Sequence, residues 1–240
     1  MLILYYDTIM KGRGFIHIMK QIKKSEFEKY DPLTKSQHPD YVLSGLLKLI
    51  LKIGTQKFLN GAGYNRDRDS FVSILFTYAI RKWSKREWFI QQISDPPDFY
   101  VISPTNRATK DKPIDCMGVE IIEIKAESTD EAIVTVLQSK LKNYAPGSGT
   151  ALLVFLNNKN AIRVGSQLST WAVRNREKFN NFSELYFLYL ESFSSTTTWA
   201  YRVINIFKVW EQKCVLSEEF KKGILFPHDL IDKYHFRIIE

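Results

Sequence analysis

Two pieces of one stretch, Pro96-Pro97-Asp98-Phe99-Tyr100-Val101-Ile102 and Gly118-Val119-Glu120-Ile121-Ile122-Glu123-Ile124-Lys125, decide how this chain is read. The second piece is an apolar, β-branched run, the pattern of a buried strand. Such a strand should exclude charge, because burying an unpaired carboxylate is costly. This one nevertheless carries Glu123 and Lys125 at i and i+2. A strand repeats every two residues, so both side chains leave the same face, roughly 6.5–7 Å apart along the backbone. Glu120 falls on the opposite face. An acid and a base side by side at the end of an apolar strand need a partner, and Asp98, on the preceding strand pattern, is the candidate.

Working outward, apolar residues at helical spacing (Phe71, Ile74, Leu75, Tyr78, Ala79) predict a helix from about Asp67 to Trp83. Arg81, Lys82, Lys85 and Arg86 load its end, where the macrodipole favours positive charge. Residues 88–93 are ambiguous between helix end and strand. After the two motif strands, Thr129-Asp130-Glu131 reads as a helix start, and Ile133, Val136, Leu137, Leu141 and Tyr144 form an apolar stripe. Pro146-Gly147 ends it, and Ala151 to Leu156 is a strand covered on both sides. A helix over Ser166–Lys178 and strands at Glu184–Leu190, Trp199–Val209 and Phe236–Ile239 complete the expectation. Upstream, a short strand at Leu2–Tyr6, a basic amphipathic helix at Phe15–Tyr30 and a second helix from Pro39-Asp40 make a mainly helical prelude. The order of elements argues for an α/β core with helices on both faces.

The Pro97-Asp98 … Glu123-Ile124-Lys125 pattern resembles the signature of the PD-(D/E)xK, or restriction-endonuclease-like, nuclease superfamily. The elements over residues 67–156 match that family's αβββαβ core, a mixed central sheet flanked by helices. The division that follows is a helical extension at 1–65 and a nuclease-like α/β domain at 66–240, with extra strands at its C-terminal end. The resemblance implies a Mg²⁺-dependent deoxyribonuclease, with endonuclease action favoured and Mn²⁺ as the alternative ion. Asp98 and Glu123 would bind the metal, since Mg²⁺ is held by one or two carboxylates and keeps several waters. The backbone carbonyl of Ile124 would join the metal shell. Lys125 would position or deprotonate the attacking water, or stabilise the transition state.

The motif is short, and the chain holds decoys for it. Pro39-Asp40 precedes a helical pattern and is better explained as a helix start. Glu26-Phe27-Glu28-Lys29 places acid and base on a helix face. On strands, Glu123 and Lys125 could equally form a surface salt bridge, with Asp98 merely opening a turn. Softer candidates are Gln138, one turn into the following helix, where several nucleases of this superfamily carry Gln or Lys, Glu87 as an extra acid, and Asp115 as an outer one. The loop between the motif strands would offer Arg107, Lys110 and Lys112 to a DNA backbone, or be a solvated turn.

Bulk properties are compatible with this. The 240 residues carry 34 Lys and Arg against 26 Asp and Glu, a net charge of +8 that suits a polyanionic partner. DNA is favoured over RNA, and homodimers are common among such enzymes. Cys116 and Cys214 are too few for a disulfide framework or zinc site. With no signal-peptide pattern and no apolar run of membrane-spanning length, the expectation is a cytoplasmic protein without membrane association. His17, His38, His228 and His235 are scattered, and no phosphate-cradling glycine loop or nucleophile elbow appears. Two rivals stay open. One is a nucleic-acid-binding protein of this fold that has lost hydrolysis. The other is a viral-type, cap-snatching RNA endonuclease, for which His38 is the upstream histidine to consider.

Overall fold

The computed structural model describes residues 36–93, 97–103, 115–125, 130–142, 149–157, 161–193, 199–208 and 210–221. The expected elements at Leu2–Tyr6, Phe15–Tyr30 and Phe236–Ile239, and the loop residues Arg107, Lys110 and Lys112, lie outside them. Helices α1 (Pro39–Ile53) and α2 (Thr55–Asn60) lead through a 3-10 turn (Ala62–Tyr64) into α3 (Asn65–Ser84). Strands β1 (Phe89–Gln92), β2 (Phe99–Ser103) and β3 (Asp115–Lys125) follow, then α4 (Asp130–Lys142), β4 (Ala151–Asn157) and α5 (Ala161–Arg174). The chain continues through β5 (Glu184–Phe193), β6 (Trp199–Asn205), β7 (Trp210–Val215) and α6 (Leu216–Lys221).

The seven strands form one mixed sheet in chain order. β1, β2 and β3 run antiparallel, β3, β4 and β5 parallel, and β5, β6 and β7 antiparallel again. Each parallel step needs a crossover, supplied by α4 and then α5. Both crossover helices cover the same face, as same-handed connections stepping in one direction require. There Leu137, Leu168 and Ala172 pack on Ile122, Ile124, Val154 and Phe187. The alternate residues of the same strands, Val119, Ile121, Leu153 and Phe155, face α3. The apolar run of β4 is buried throughout because it faces both layers.

α3 is buried along almost its whole middle, from Phe71 to Arg81. The sheet covers one side of it. Leu43, Leu46 and Ile50 of α1, with Phe58 and Leu59 of α2, join the same core from the other. Residues 39–60, part of the expected N-terminal extension, are thus built into the core around α3. Gly54, with φ of 85°, makes the break between α1 and α2 that a side chain would strain.

Pro39-Asp40 does open a helix. His38 is its cap: Nδ1 accepts the Asp40 amide at 3.2 Å. Asp40 in turn accepts the Tyr78 hydroxyl. Burial, the largest influence, holds the Asp40 carboxyl above its ordinary 3.8, against the opposing pull of the Tyr78 hydrogen bond. The native state therefore keeps this proton after the unfolded chain has lost it. Stability from this group is full below about pH 3.8 and drains away as pH rises through the higher native value. Asp40→Asn keeps an acceptor for Tyr78 and has no charge to bury. Its urea midpoint, followed from pH 3.5 to pH 7 beside wild type, should gain on wild type as pH rises. Parallel curves would show that Asp40 titrates alike in both states.

The strand expected over Trp199–Val209 ends at Asn205, and a further strand, β7, begins at Trp210. Asn205 Oδ1 accepts the amides of Phe207 at 3.1 Å and Lys208 at 2.8 Å, turning the chain. The ambiguous stretch after Trp88 is the edge strand β1. The predicted helix at 166–178 instead runs Ala161–Arg174 and closes in a 3-10 turn at Arg176–Phe179.

Candidate functional site

Pro97 and Asp98 immediately precede β2, which pairs antiparallel with β3, the strand carrying Glu123 and Lys125, with Phe99 opposite Val119. A close backbone approach makes this possible. A Cβ on Gly118 would sit 2.8 Å from Pro97 Cγ, so glycine lets the proline just before Asp98 lie against β3. Asp98 then reaches β3 directly, its Oδ2 accepting the Ile121 amide at 2.6 Å. That bond fixes the orientation of the carboxyl group.

Ile121 and Asp98 line one cavity of about 250 Å³ whose other wall is the first part of α3, with Arg66, Asp69 and Ser70. Gln92 of β1 also borders it and donates to the Ser70 hydroxyl. No motif or spacing in the sequence marks Asp69, Ser70 or Gln92. They lie outside the motif, on α3 and on a strand read as ambiguous.

Glu123 is the next residue after Ile121 on the α3-facing side of β3, one strand repeat of about 6.5–7 Å further on. It is held by two donors. Arg68 of α3 donates Nη2 to Oε2 at 3.3 Å, and Asn157, at the end of β4, donates Nδ2 to Oε1 at 2.8 Å. Arg68 is only 2 % exposed and donates its other Nη hydrogens to the carbonyls of Phe58 (3.1 Å) and Gly61 (2.6 Å) and to Asn65, while its buried Nε makes no hydrogen bond. Asn157 also reaches the Leu59 carbonyl at 3.0 Å. The ion pair at Glu123 is therefore with Arg68, a residue 55 positions upstream, whereas the sequence had offered Lys125 as the salt-bridge partner.

Lys125 ends β3, exposed, with Asn157 as its register partner on β4. Between Glu123 and Lys125, Ile124 turns its side chain into the core on the opposite face, leaving only its backbone on offer. Glu120 is buried on that opposite face too, as strand alternation requires.

The softer candidates are not gathered to this place. Gln138 is half-buried on α4, whose apolar side packs on the face of the sheet away from Glu123. Glu87 follows α3 and stands 3.8 Å from both Arg81 and His38. His38 caps α1 and packs edge-on against Phe89. Asp115 starts β3 opposite Ser103, at the far end of that strand from Glu123.

Oxygen donors from Asp98 and Glu123 suit a hard divalent cation such as Mg²⁺. One donor sits on each Glu123 oxygen, and a carboxylate oxygen has room for a further partner. Among the described residues, no three His, Cys, Asp or Glu side chains are grouped to hold a metal ion. Such a cation would thus rest on the two carboxylates, backbone and water. No helix among the described residues is long and apolar enough to cross a membrane. No protein-family model matches the chain, and no curated protein matches it in sequence.

Proposed function

We propose that the protein is a metal-dependent nuclease of the PD-(D/E)xK kind that hydrolyses DNA phosphodiester bonds. The observation that carries the reading is that Asp98, just before β2, lines a cavity walled by the first half of α3, and Glu123 of β3 bonds to Arg68 of the same helix, with Lys125 exposed one repeat beyond. The succession α3, β1, β2, β3, α4, β4 supports it, because it follows the αβββαβ order around the motif.

In this reading Asp98 and Glu123 would hold Mg²⁺, and the Ile124 carbonyl would be available as a backbone donor. The ion supplies charge neutralisation at the phosphate and acidifies a bound water. Lys125, flexible and open to solvent, places its ammonium on the water or on the phosphate oxygens. Arg66, exposed at the rim of the Asp98 cavity, offers a cation to the nucleic-acid backbone. The net charge of +8 draws the polyanion in.

The test is cleavage of plasmid and linear DNA by purified protein with Mg²⁺ or Mn²⁺, with RNA of matching sequence alongside. Cleavage is expected with metal and should stop on adding a chelator. One observation favours a second reading, a binding protein of the same fold without hydrolysis: Glu123 is already neutralised by Arg68. Binding that weakens steeply with salt, yet no cleavage with either ion, would establish that alternative. RNA cleavage with Mn²⁺ preference would move the assignment toward the cap-snatching type. The position of His38 as a helix cap counts against that outcome.

A further inference from the structure

The turn joining α2 to α3 has an unusual relation to Glu123. Three carbonyls of this turn and the end of α2 leading into it, those of Phe58, Leu59 and Gly61, accept hydrogen bonds from side chains, and the donors are Arg68 and Asn157. These same two side chains hold the two oxygens of Glu123, one each. The turn itself is anchored, because Phe58 is 0 % and Leu59 3 % exposed in the core.

A glutamate at the end of a strand has three rotatable bonds and no intrinsic orientation. One donor would leave its carboxylate free to swing about that contact. Two donors on different oxygens define its plane, and here both are referred to one rigid piece of backbone. Arg68 suits this task because its planar fork spans several acceptors at fixed angles. Asn157 suits it because one amide nitrogen carries two hydrogens, one for Leu59 and one for Glu123.

We propose that Arg68 and Asn157 are positioning residues that set the plane of the Glu123 carboxylate by bridging it to the α2–α3 turn. Metal sites depend on such supporting contacts, whose loss weakens affinity or activity by about 10–100-fold. The proposal deepens the nuclease reading and rests on it for its consequence. Its geometric content stands apart from that reading and is tested apart.

The experiment compares wild type with Asn157→Ala by crystal structure, by calorimetric titration with Mn²⁺, and by cleavage kinetics. Asn157→Ala is expected to fold, with Glu123 in more than one orientation. Its Kd for Mn²⁺ should rise about 10–100-fold and its kcat should fall, while its KM for DNA stays near wild type. Should Asn157→Ala not fold, Asn157→Ser keeps a short donor near the Leu59 carbonyl and is read the same way. Arg68→Lys keeps the charge without the fork and is expected to move the same quantities in the same direction. A single unchanged orientation of Glu123 with wild-type Mn²⁺ affinity in these variants would overturn the proposal. If wild type itself neither binds Mn²⁺ nor cuts DNA, the nuclease reading fails, and the orientation of Glu123 across the variants still decides the positioning role.

Discussion

Lys125→Ala is expected to lower metal-dependent DNA cleavage by roughly 10²–10⁴-fold, the range lost when a positioned acid–base group is removed. Fold and stability should be untouched. Lys125 is exposed at the last position of β3, and exposed substitutions away from special features stay within about 0.5 kcal/mol. This separation makes it the cleanest of the three motif residues to change. Removing the Glu123 carboxylate strands the buried Arg68, and removing Asp98 leaves the Ile121 amide without its acceptor. Either change would confuse lost chemistry with lost structure. Kinetics measured with a thermal midpoint on the same sample decide the matter for Lys125. Wild-type cleavage by a well-folded Lys125→Ala would remove the residue from the mechanism.

The largest effect on stability is expected at Arg68. Arg68→Met takes the donors from the Phe58 and Gly61 carbonyls and from Asn65, and leaves Glu123 without its cation. Breaking such a pair from one side costs about 3–5 kcal/mol, because the penalty is the uncompensated group that remains. For a chain of this size that lowers the thermal midpoint by roughly 10 °C. The pair itself need not be strongly stabilising, since apolar replacements of both partners are often neutral. Arg68→Met with Glu123→Leu should therefore recover much of the loss in urea denaturation, while cleavage stays abolished. A double variant no more stable than Arg68→Met would mean that the carbonyls, and not the carboxylate, are what Arg68 satisfies.

Much of the frame was readable along the chain. The run from Gly118 to Lys125 is a strand, Ala151 to Leu156 is a strand buried on both sides, and Phe71 to Ala79 face a core, as their spacing requires. Glu120 left the candidate site on strand phase alone, and its burial on the opposite face agrees. Periodicity says less where a segment is short or edge-placed. β7, with its alternating Trp210, Glu211, Gln212 and Lys213, carries little apolar signal because it closes the sheet at an edge. The turn that separates it from β6 is made by the side chain of Asn205.

Charge pairing lay further from view. Lys125 stands two residues from Glu123 and was the natural partner by spacing, yet the structure gives that role to Arg68, whose helix is placed over β3 by the packing of α1, α2 and the sheet. Asn157 meets Glu123 because β4 runs parallel to β3, with Phe155 opposite Glu123 and Asn157 one same-face repeat beyond. Local sequence, through strand alternation, thus determined that Glu123 and Lys125 sit on one face of a strand, whereas Asp98, expected within a strand, lies just before β2. Which side chains meet the Glu123 carboxylate was decided only in three dimensions. Contacts between residues 34 and 55 positions apart depend on how helices and strands stack to bury apolar surface, and no spacing within a segment records that.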